Sequence, residues 1–248
     1  MPNIIIEDRG KVAVLRLANG VTNAINRKLT DELSDALRQV SKRYRGMVLA
    51  GGSKFFSIGF ELPSLLKLSR KEMADFYCQF ERTALELFSL PIPTVAALSG
   101  HAIAGGCILA IACDFRLAAS GRRYIGLNEI KIGVPVPYLA DLILRQIVGD
   151  RVATTLVYQG AFLEPDKAEK LGIIDGIYSP ESLEEEALKK IALFSDLPEH
   201  AFSIIKENRV EAVCRRYEEN HRSKNDLFLN CWFNPAVQKL LHDALEKF

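Results

Sequence analysis

The chain has 248 residues, 48% of them hydrophobic and 25% charged, with a formal net charge of +1. That length and apolar content suffice for a sizeable buried core, and the near-neutral balance gives no electrostatic reason to expect nucleic acid or an anionic membrane as partner. No uninterrupted apolar run is long enough to span a bilayer, and the five cysteines (Cys78, Cys107, Cys113, Cys214 and Cys231) lack zinc-motif spacing, so neither a membrane anchor nor a metal is expected.

Residues 4–6 and 12–17 are strand-like and are separated by Asp8-Arg9-Gly10, which predicts a β-hairpin. This start lacks the basic and apolar regions of a signal peptide and the Arg-rich pattern of a transit peptide. With an odd number of cysteines, it points to a reducing, cytoplasmic location. Residues 28–45 put Leu29, Leu33, Leu37 and Val40 on one helical face. A buried strand over 47–50 runs into Gly51-Gly52. A longer amphipathic helix over 71–90 is stopped by Pro91-Ile92-Pro93, and a second buried strand follows over 94–98. Residues 114–119 are strand-like again. Such alternation predicts a mixed α/β core built from crossover units. Beyond Pro137 the pattern turns helical, over 138–148, 151–158, 165–171, 182–194 and everything after Pro198. One strand interrupts it at 173–178, and Ser179-Pro180 predicts the start of the next helix.

Three segments carry candidate chemistry. The first, Ser57-Ile58-Gly59-Phe60-Glu61-Leu62, follows a buried strand and sets a glycine between bulky residues. Backbone must bend there, or something must approach it closely; a plain strand-to-helix turn is the simpler account. The second, Ala104-Gly105-Gly106-Cys107-Ile108, opens an apolar helix with unpaired N–H groups, suited to a developing oxyanion or merely to close packing of helix on strand. The third, Gly126-Leu127-Asn128-Glu129, offers one carboxylate, which alone reads as a solvated charge. His101 beside the glycine segment has no Ser or Cys positioned for it and reads as structural. Cys107 and Cys113 read as small hydrophobes.

In this order and spacing the three segments resemble the crotonase (enoyl-CoA hydratase/isomerase) superfamily over nearly the whole chain. Within it, the Ala104–Cys107 opening, Ile125-Gly126-Leu127-Asn128-Glu129 and Leu197-Pro198-Glu199-His200-Ala201 look most like the mitochondrial-type Δ3,Δ2-enoyl-CoA isomerases. The resemblance implies an α/β spiral of ββα units over residues 1–190 and a C-terminal helical region over 191–248 that covers the site and assembles a homotrimer or a dimer of trimers. It implies an acyl-CoA substrate and no separate cofactor, coenzyme A being part of the substrate. The backbone N–H groups of Phe60 and Gly105 would form an oxyanion hole. Ser57, Ile58, Gly59, Glu61 and Leu62 would contact the acyl-CoA. Glu129 would be the acid–base group, with Asn128 lining the acyl site.

Where hydratases of this superfamily carry a second glutamate, the chain has Ile108. Adding water across a double bond asks two carboxylates to share the proton work. Moving the bond from C3 to C2 needs one group that takes a proton from C2 and returns one at C4, and an apolar neighbour keeps that site dry. Burial would raise the pKa of Glu129 and make it a stronger base. The expected activity is therefore isomerisation of 3-enoyl-CoA to 2-trans-enoyl-CoA. The alternatives are hydration aided by Glu61 or Asp141, dienoyl isomerisation, thioester or C–C hydrolysis, and a non-catalytic assembly or RNA-binding role. Departures from the superfamily pattern are Glu61 in place of the usual Asp, bulky Ile58 and Phe60, and Arg122-Arg123, read as a solvated turn or a phosphate clamp. Glu61 itself reads as structural, bonded to backbone N–H groups, or as a second acid.

Overall fold

A computed structural model describes residues 2–245. The hairpin forms as the sequence predicts: β1 (Ile4–Arg9) and β2 (Val12–Leu17) pair antiparallel, Ile4 opposite Leu17. Helix α1 (Arg27–Arg43) buries Leu29, Leu33, Leu37 and Val40; Asn26 caps it by accepting from the Leu29 N–H at 2.9 Å, and Lys42 and Arg43 complement the dipole of its last turn. Next come β3 (Gly46–Ala50), β4 (Phe55–Ser57), the short α2 (Leu62–Leu65) and α3 (Arg70–Phe88). A reciprocal Ser69/Glu72 capping box starts α3. Then follow β5 (Thr94–Leu98), β6 (His101–Ile103), α4 (Gly105–Ile111), β7 (Phe115–Ala119) and β8 (Ile125–Gly126). A 3₁₀ turn over Glu129–Ile132 leads to α5 (Tyr138–Val148), α6 (Asp150–Gln159), α7 (Pro165–Lys170), β9 (Gly176–Tyr178), α8 (Leu183–Ser195), α9 (Glu199–Trp232) and α10 (Pro235–Leu245).

The larger sheet has the order β1-β2-β3-β5-β7-β9 and is parallel beyond the hairpin. Both its faces are covered, which is why its strands read as continuous apolar runs. Alternate residues divide the two sides. Ala13, Leu15, Leu17, Met47 and Leu49 face the main core with α1, α3 and α4. Val12, Val14, Val48 and Ala50 face Leu183, Ala187 and Ile191 of α8. The smaller sheet, β4-β6-β8, is also parallel. Each turn of the chain thus places one strand in the large sheet and the next in the small one: β3 then β4, β5 then β6, β7 then β8. This is the expected spiral, and its small strands end at residues 57, 103 and 126, at or one residue before the start of each candidate segment.

Helices α1 and α3 end two residues earlier than expected, and two boundaries differ by more. The strand over 173–178 shortens to Gly176–Tyr178, because Ile173 and Asp175 are used otherwise. The Ile173 carbonyl accepts the Arg116 Nε, and the Asp175 N–H donates to the Arg116 carbonyl at 2.7 Å. Helix α8 begins at Leu183, not at Ser179-Pro180, since Ser182 and Leu183 both donate to the Ser179 carbonyl and close a turn first. This helix runs to Ser195, across the expected 190/191 division. The long α9 packs on α3 and α5, and α10 folds back over the Glu129 turn and α2. Buried Lys206 pairs through Nζ with the half-buried Asp114 at 2.8 Å and ties α9 to the core, and the same carboxylate accepts the Thr94 N–H.

Candidate active site

The loop after β4 is held rigid by its own polar groups. Ser57 is buried and its hydroxyl donates to the Asn23 carbonyl at 2.7 Å while accepting from the Gly59 N–H at 3.2 Å. Ile25 donates to the Gly59 carbonyl, and Glu61 donates to the Ile25 carbonyl. Between these bonds the Phe60 N–H has no acceptor among the described residues. The Phe60 ring packs edge-on against Phe76 and Phe80, with centroids 5.1 and 4.9 Å away, which fixes the main chain beneath it.

Ala104 turns the chain from β6 into α4 with φ 47° and ψ −120°, a backbone conformation that costs an alanine on the order of 1–3 kcal/mol. The Ala104 N–H bonds the Gly126 carbonyl, and its own carbonyl accepts from Ile108, both at 2.9 Å, so the strained turn is held from both ends. It delivers the Gly105 N–H, also without an acceptor among the described residues, beside the loop after β4. The fit is close. A Cβ on Gly59, whose φ is +94°, would stand 3.0 Å from the Gly105 nitrogen, and a Cβ on Gly106 would collide with the Ser57 carbonyl. These glycines let two chain segments lie flush, with two free amides at one edge.

Glu129 opens the 3₁₀ turn after β8. It is 5% exposed, and its Oε2 has no hydrogen-bond partner among the described residues. Burial, opposed only by its own backbone N–H, pushes its pKa to about 8. The turn is locked by the Val134 N–H bonding the Glu129 carbonyl at 3.1 Å and by left-handed Gly133, against which Val237 and Leu240 of α10 pack.

A cavity of about 340 Å³ joins these parts. Its wall contains Glu129, Asn128, Phe60, Gly105, Ile58, Glu61, Leu62 and Ile108, so eight of the ten candidate residues come together. Ser57 and Gly59 lie behind the wall and shape it. The far side is Phe228 and Trp232 of α9 with Ala244 and Leu245 of α10. The chain thus covers its own cavity with its C-terminal helices. These four residues have no motif; the only trace of them in the sequence is an aromatic pair four residues apart on one helical face.

Several side chains are placed more definitely than the sequence allowed. Glu61 accepts from the Ser64 hydroxyl at 2.6 Å and from Asn26 Nδ2 at 3.3 Å, so it is tied by side chains and not by backbone N–H groups. Asp141 pairs with Arg145 at 3.1 Å and lies outside the cavity wall. His101 accepts the Tyr124 N–H on Nδ1 and stacks on the Tyr124 ring; burial lowers its pKa. Burial pushes both the Cys107 and the Cys113 thiol up to about 12, as befits small hydrophobes. Arg122 holds the Tyr124 hydroxyl and Arg123 the Ser99 carbonyl, both at 2.8 Å, so the pair braces its own turn.

A family model described as enoyl-CoA hydratase/isomerase matches residues 7–247. The chain is 28% identical over 240 residues to human mitochondrial enoyl-CoA delta isomerase 1, covering 95% of this chain and 80% of that protein. It is 30% identical over 234 residues to a probable enoyl-CoA hydratase of Mycobacterium tuberculosis, EchA17, covering 88% and 89% respectively. Among solved structures, human mitochondrial delta3-delta2-enoyl-CoA isomerase superposes with a TM-score of 0.95 at 27% identity, covering 99% of this chain and 97% of that one. An enoyl-CoA hydratase from Bacillus halodurans superposes with a TM-score of 0.89 at 21% identity, covering 97% and 99%, a likeness of fold.

Proposed function

Because the chain belongs to the enoyl-CoA hydratase/isomerase family, whose members act on acyl-CoA, we propose that it is a Δ3,Δ2-enoyl-CoA isomerase working through a single carboxylate. The observation that carries this reading is the chemistry of one wall. Among the described residues two carboxylates line the cavity: Glu61 is engaged by Ser64 and Asn26, Glu129 has an oxygen without a partner, and Ile108 supplies no third.

In the proposed reaction the thioester oxygen accepts from the Phe60 and Gly105 N–H groups. The Glu129 carboxylate takes a proton from C2. The C–H electron pair becomes the C1–C2 double bond, and the carbonyl pair moves onto the held oxygen, giving a dienolate. Glu129, now protonated, gives a proton to C4; the C3–C4 π pair forms that bond, the C1–C2 pair shifts to C2–C3, and the carbonyl re-forms. The base ends as it began. Two fixed amides are worth much here, since losing one such donor typically costs about 10²–10³ in rate. A base whose pKa is about 8 is better matched to a weakly acidic C–H than an ordinary carboxylate.

The test is a pair of variants assayed on 3-enoyl-CoA and 2-trans-enoyl-CoA. E129Q should lose isomerase activity, and I108E should gain hydratase activity by admitting water. Full isomerase activity in E129Q would refute the mechanism; no hydratase gain in I108E would mean that residue 108 does not face the reacting carbons. Hydration is the second reading, favoured by the 30% identity to the probable hydratase, and it requires Glu61 to leave Ser64. The proposal extends to a homotrimer or dimer of trimers, for which the exposed Leu193, Ile204 and Ile205 on α8 and α9 offer apolar surface. It extends also to a reducing compartment such as the cytoplasm, in keeping with five free thiols. No described helix is long and apolar enough to cross a membrane.

A further inference from the structure

Behind the Glu129 cavity lies a second one, also of about 340 Å³, between the 3₁₀ turn, α5, α6 and α9. The two cavities have two lining residues in common, Val134 and Phe228. Both are buried, at 4% and 3% exposure, so together they form a partition one side chain thick. The Glu129 turn is part of the same partition: Glu129 lines the first cavity, its neighbour Ile130 lines the second, and Val134 lines both. Phe228 is held in place by stacking on Tyr77, centroids 3.9 Å apart and planes 12° from parallel. The second cavity is walled by Tyr77, Tyr138, Val157 and Leu227, and Asp141, Arg145 and Lys224 also line it. Its inner wall, Tyr77, Val136, Tyr138 and Val157, is apolar and buried or half-buried, while Arg145, Tyr158, Lys224 and Leu227 are exposed at its open side. An apolar inner wall that adjoins the first cavity across two apolar side chains suits the far end of an apolar substrate.

We propose that this second chamber seats the distal part of a long acyl chain, and that Phe228, with Val134, is the partition such a chain must displace to enter it. The proposal rests on the acyl-CoA reading above and adds a determinant of chain length to it. A short chain ends against Phe228 and leaves the partition closed. A long chain turns the ring off Tyr77, and the loss of that stacking is offset by burying methylene groups in the chamber.

The experiment compares kcat/KM for 3-dodecenoyl-CoA and 3-hexenoyl-CoA. In F228A, or in the milder F228L should the alanine variant fold poorly, the dodecenoyl-to-hexenoyl ratio should rise about tenfold, the effect of a pocket gaining room for extra methylenes. V157W, which fills the chamber from its far side, should lower the same ratio about tenfold. A ratio unchanged in both overturns the proposal, as does a fall in F228L. If V157W alters the oligomeric state in solution and leaves the ratio alone, the chamber seats a second copy of the chain, and the proposal again fails. Calorimetric binding of the unreactive dodecanoyl-CoA and hexanoyl-CoA separates this result from the fate of the isomerase reading. Turnover without a length preference that responds to these variants sinks the chamber alone. A responsive length preference without turnover sinks the isomerase and leaves the chamber standing.

Discussion

Among the described residues two carboxylates, Glu129 and Glu81, are buried without a cation beside either, and they differ in what else surrounds them. Glu81, on α3, is 1% exposed and accepts the Tyr217 hydroxyl of α9 at 3.2 Å; burial pushes its pKa to about 7. Glu129 is raised further, to about 8, by the same cause. Glu81 also has the Leu139 N–H and the Asn225 side chain beside it, which oppose the effect of burial, whereas Glu129 Oε2 has no partner among the described residues. Glu81 lies in the packed seam between α3 and α9, and neither of the two cavities has it in its wall. Glu129 faces open space next to two free amides. A raised carboxyl is therefore no sign of chemistry by itself. What sets Glu129 apart, and what the proposed role rests on, is room for a substrate and donors placed where its charge would go.

The largest test of that contrast is the isosteric amide at each position. E129Q should lower isomerase kcat by about 10²–10⁴-fold, the usual contribution of a placed acid–base group, with the fold intact. E81Q should keep most of its activity. Equal losses would mean that Glu81 belongs to the site. Next in size is G59A, which leaves both carboxyls alone but places a Cβ 3.0 Å from the Gly105 nitrogen and 3.1 Å from the Ala104 Cβ, on a backbone of φ +94°. It should displace one amide and cost about 10²-fold in kcat; an unaffected rate would remove the amides from the account.

The pH dependence sharpens the comparison further. Both carboxyls bind their proton more tightly in the folded state than at the ordinary value of 4.5. Between that value and the folded pKa the native state holds the extra proton. Stability is therefore fully present below about 4.5 and falls as pH rises, by up to about 1.4 kcal/mol per pH unit for each group. The fall attributable to Glu81 ends near 7 and that to Glu129 near 8. Denaturant titrations of E129Q should lack the slope between 7 and 8, while those of E81Q should keep it. Since the base must be ionised, kcat/KM of the wild type should rise with pH towards about 8. The smallest effect is that of Y217F. It removes one hydrogen bond from Glu81 and should cost about 1 kcal/mol of stability, with kcat unchanged.

Much of the fold was legible because strands and helices here carry unmixed periods. The short apolar runs at 47–50 and 94–98, bounded by Gly51-Gly52 and by Pro91-Ile92-Pro93, read as buried strands, and Leu29, Leu33, Leu37 and Val40 mark one face of α1. The boundaries at 173 and 179 were not legible, because they depend on Arg116 and on a turn at Ser182, which are tertiary and local hydrogen-bond choices without a periodic trace. The near wall of the cavity could be read from its glycines and from Glu129, whose spacing follows the ends of three successive short strands. The far wall could not. Phe228 and Trp232 reach the cavity because α9 packs on α3 and α5, and Ala244 and Leu245 because α10 folds back over the Glu129 turn; nothing local in residues 228–245 records either placement.

The central claim is that one carboxylate beside an apolar Ile108 moves a double bond and does not add water. It is tested most directly by initial rates of one enzyme preparation on 3-enoyl-CoA and on 2-trans-enoyl-CoA, at equal concentration and a pH near 8. The first should give rapid formation of the conjugated product and the second negligible 3-hydroxyacyl-CoA. Hydration faster than isomerisation would contradict it.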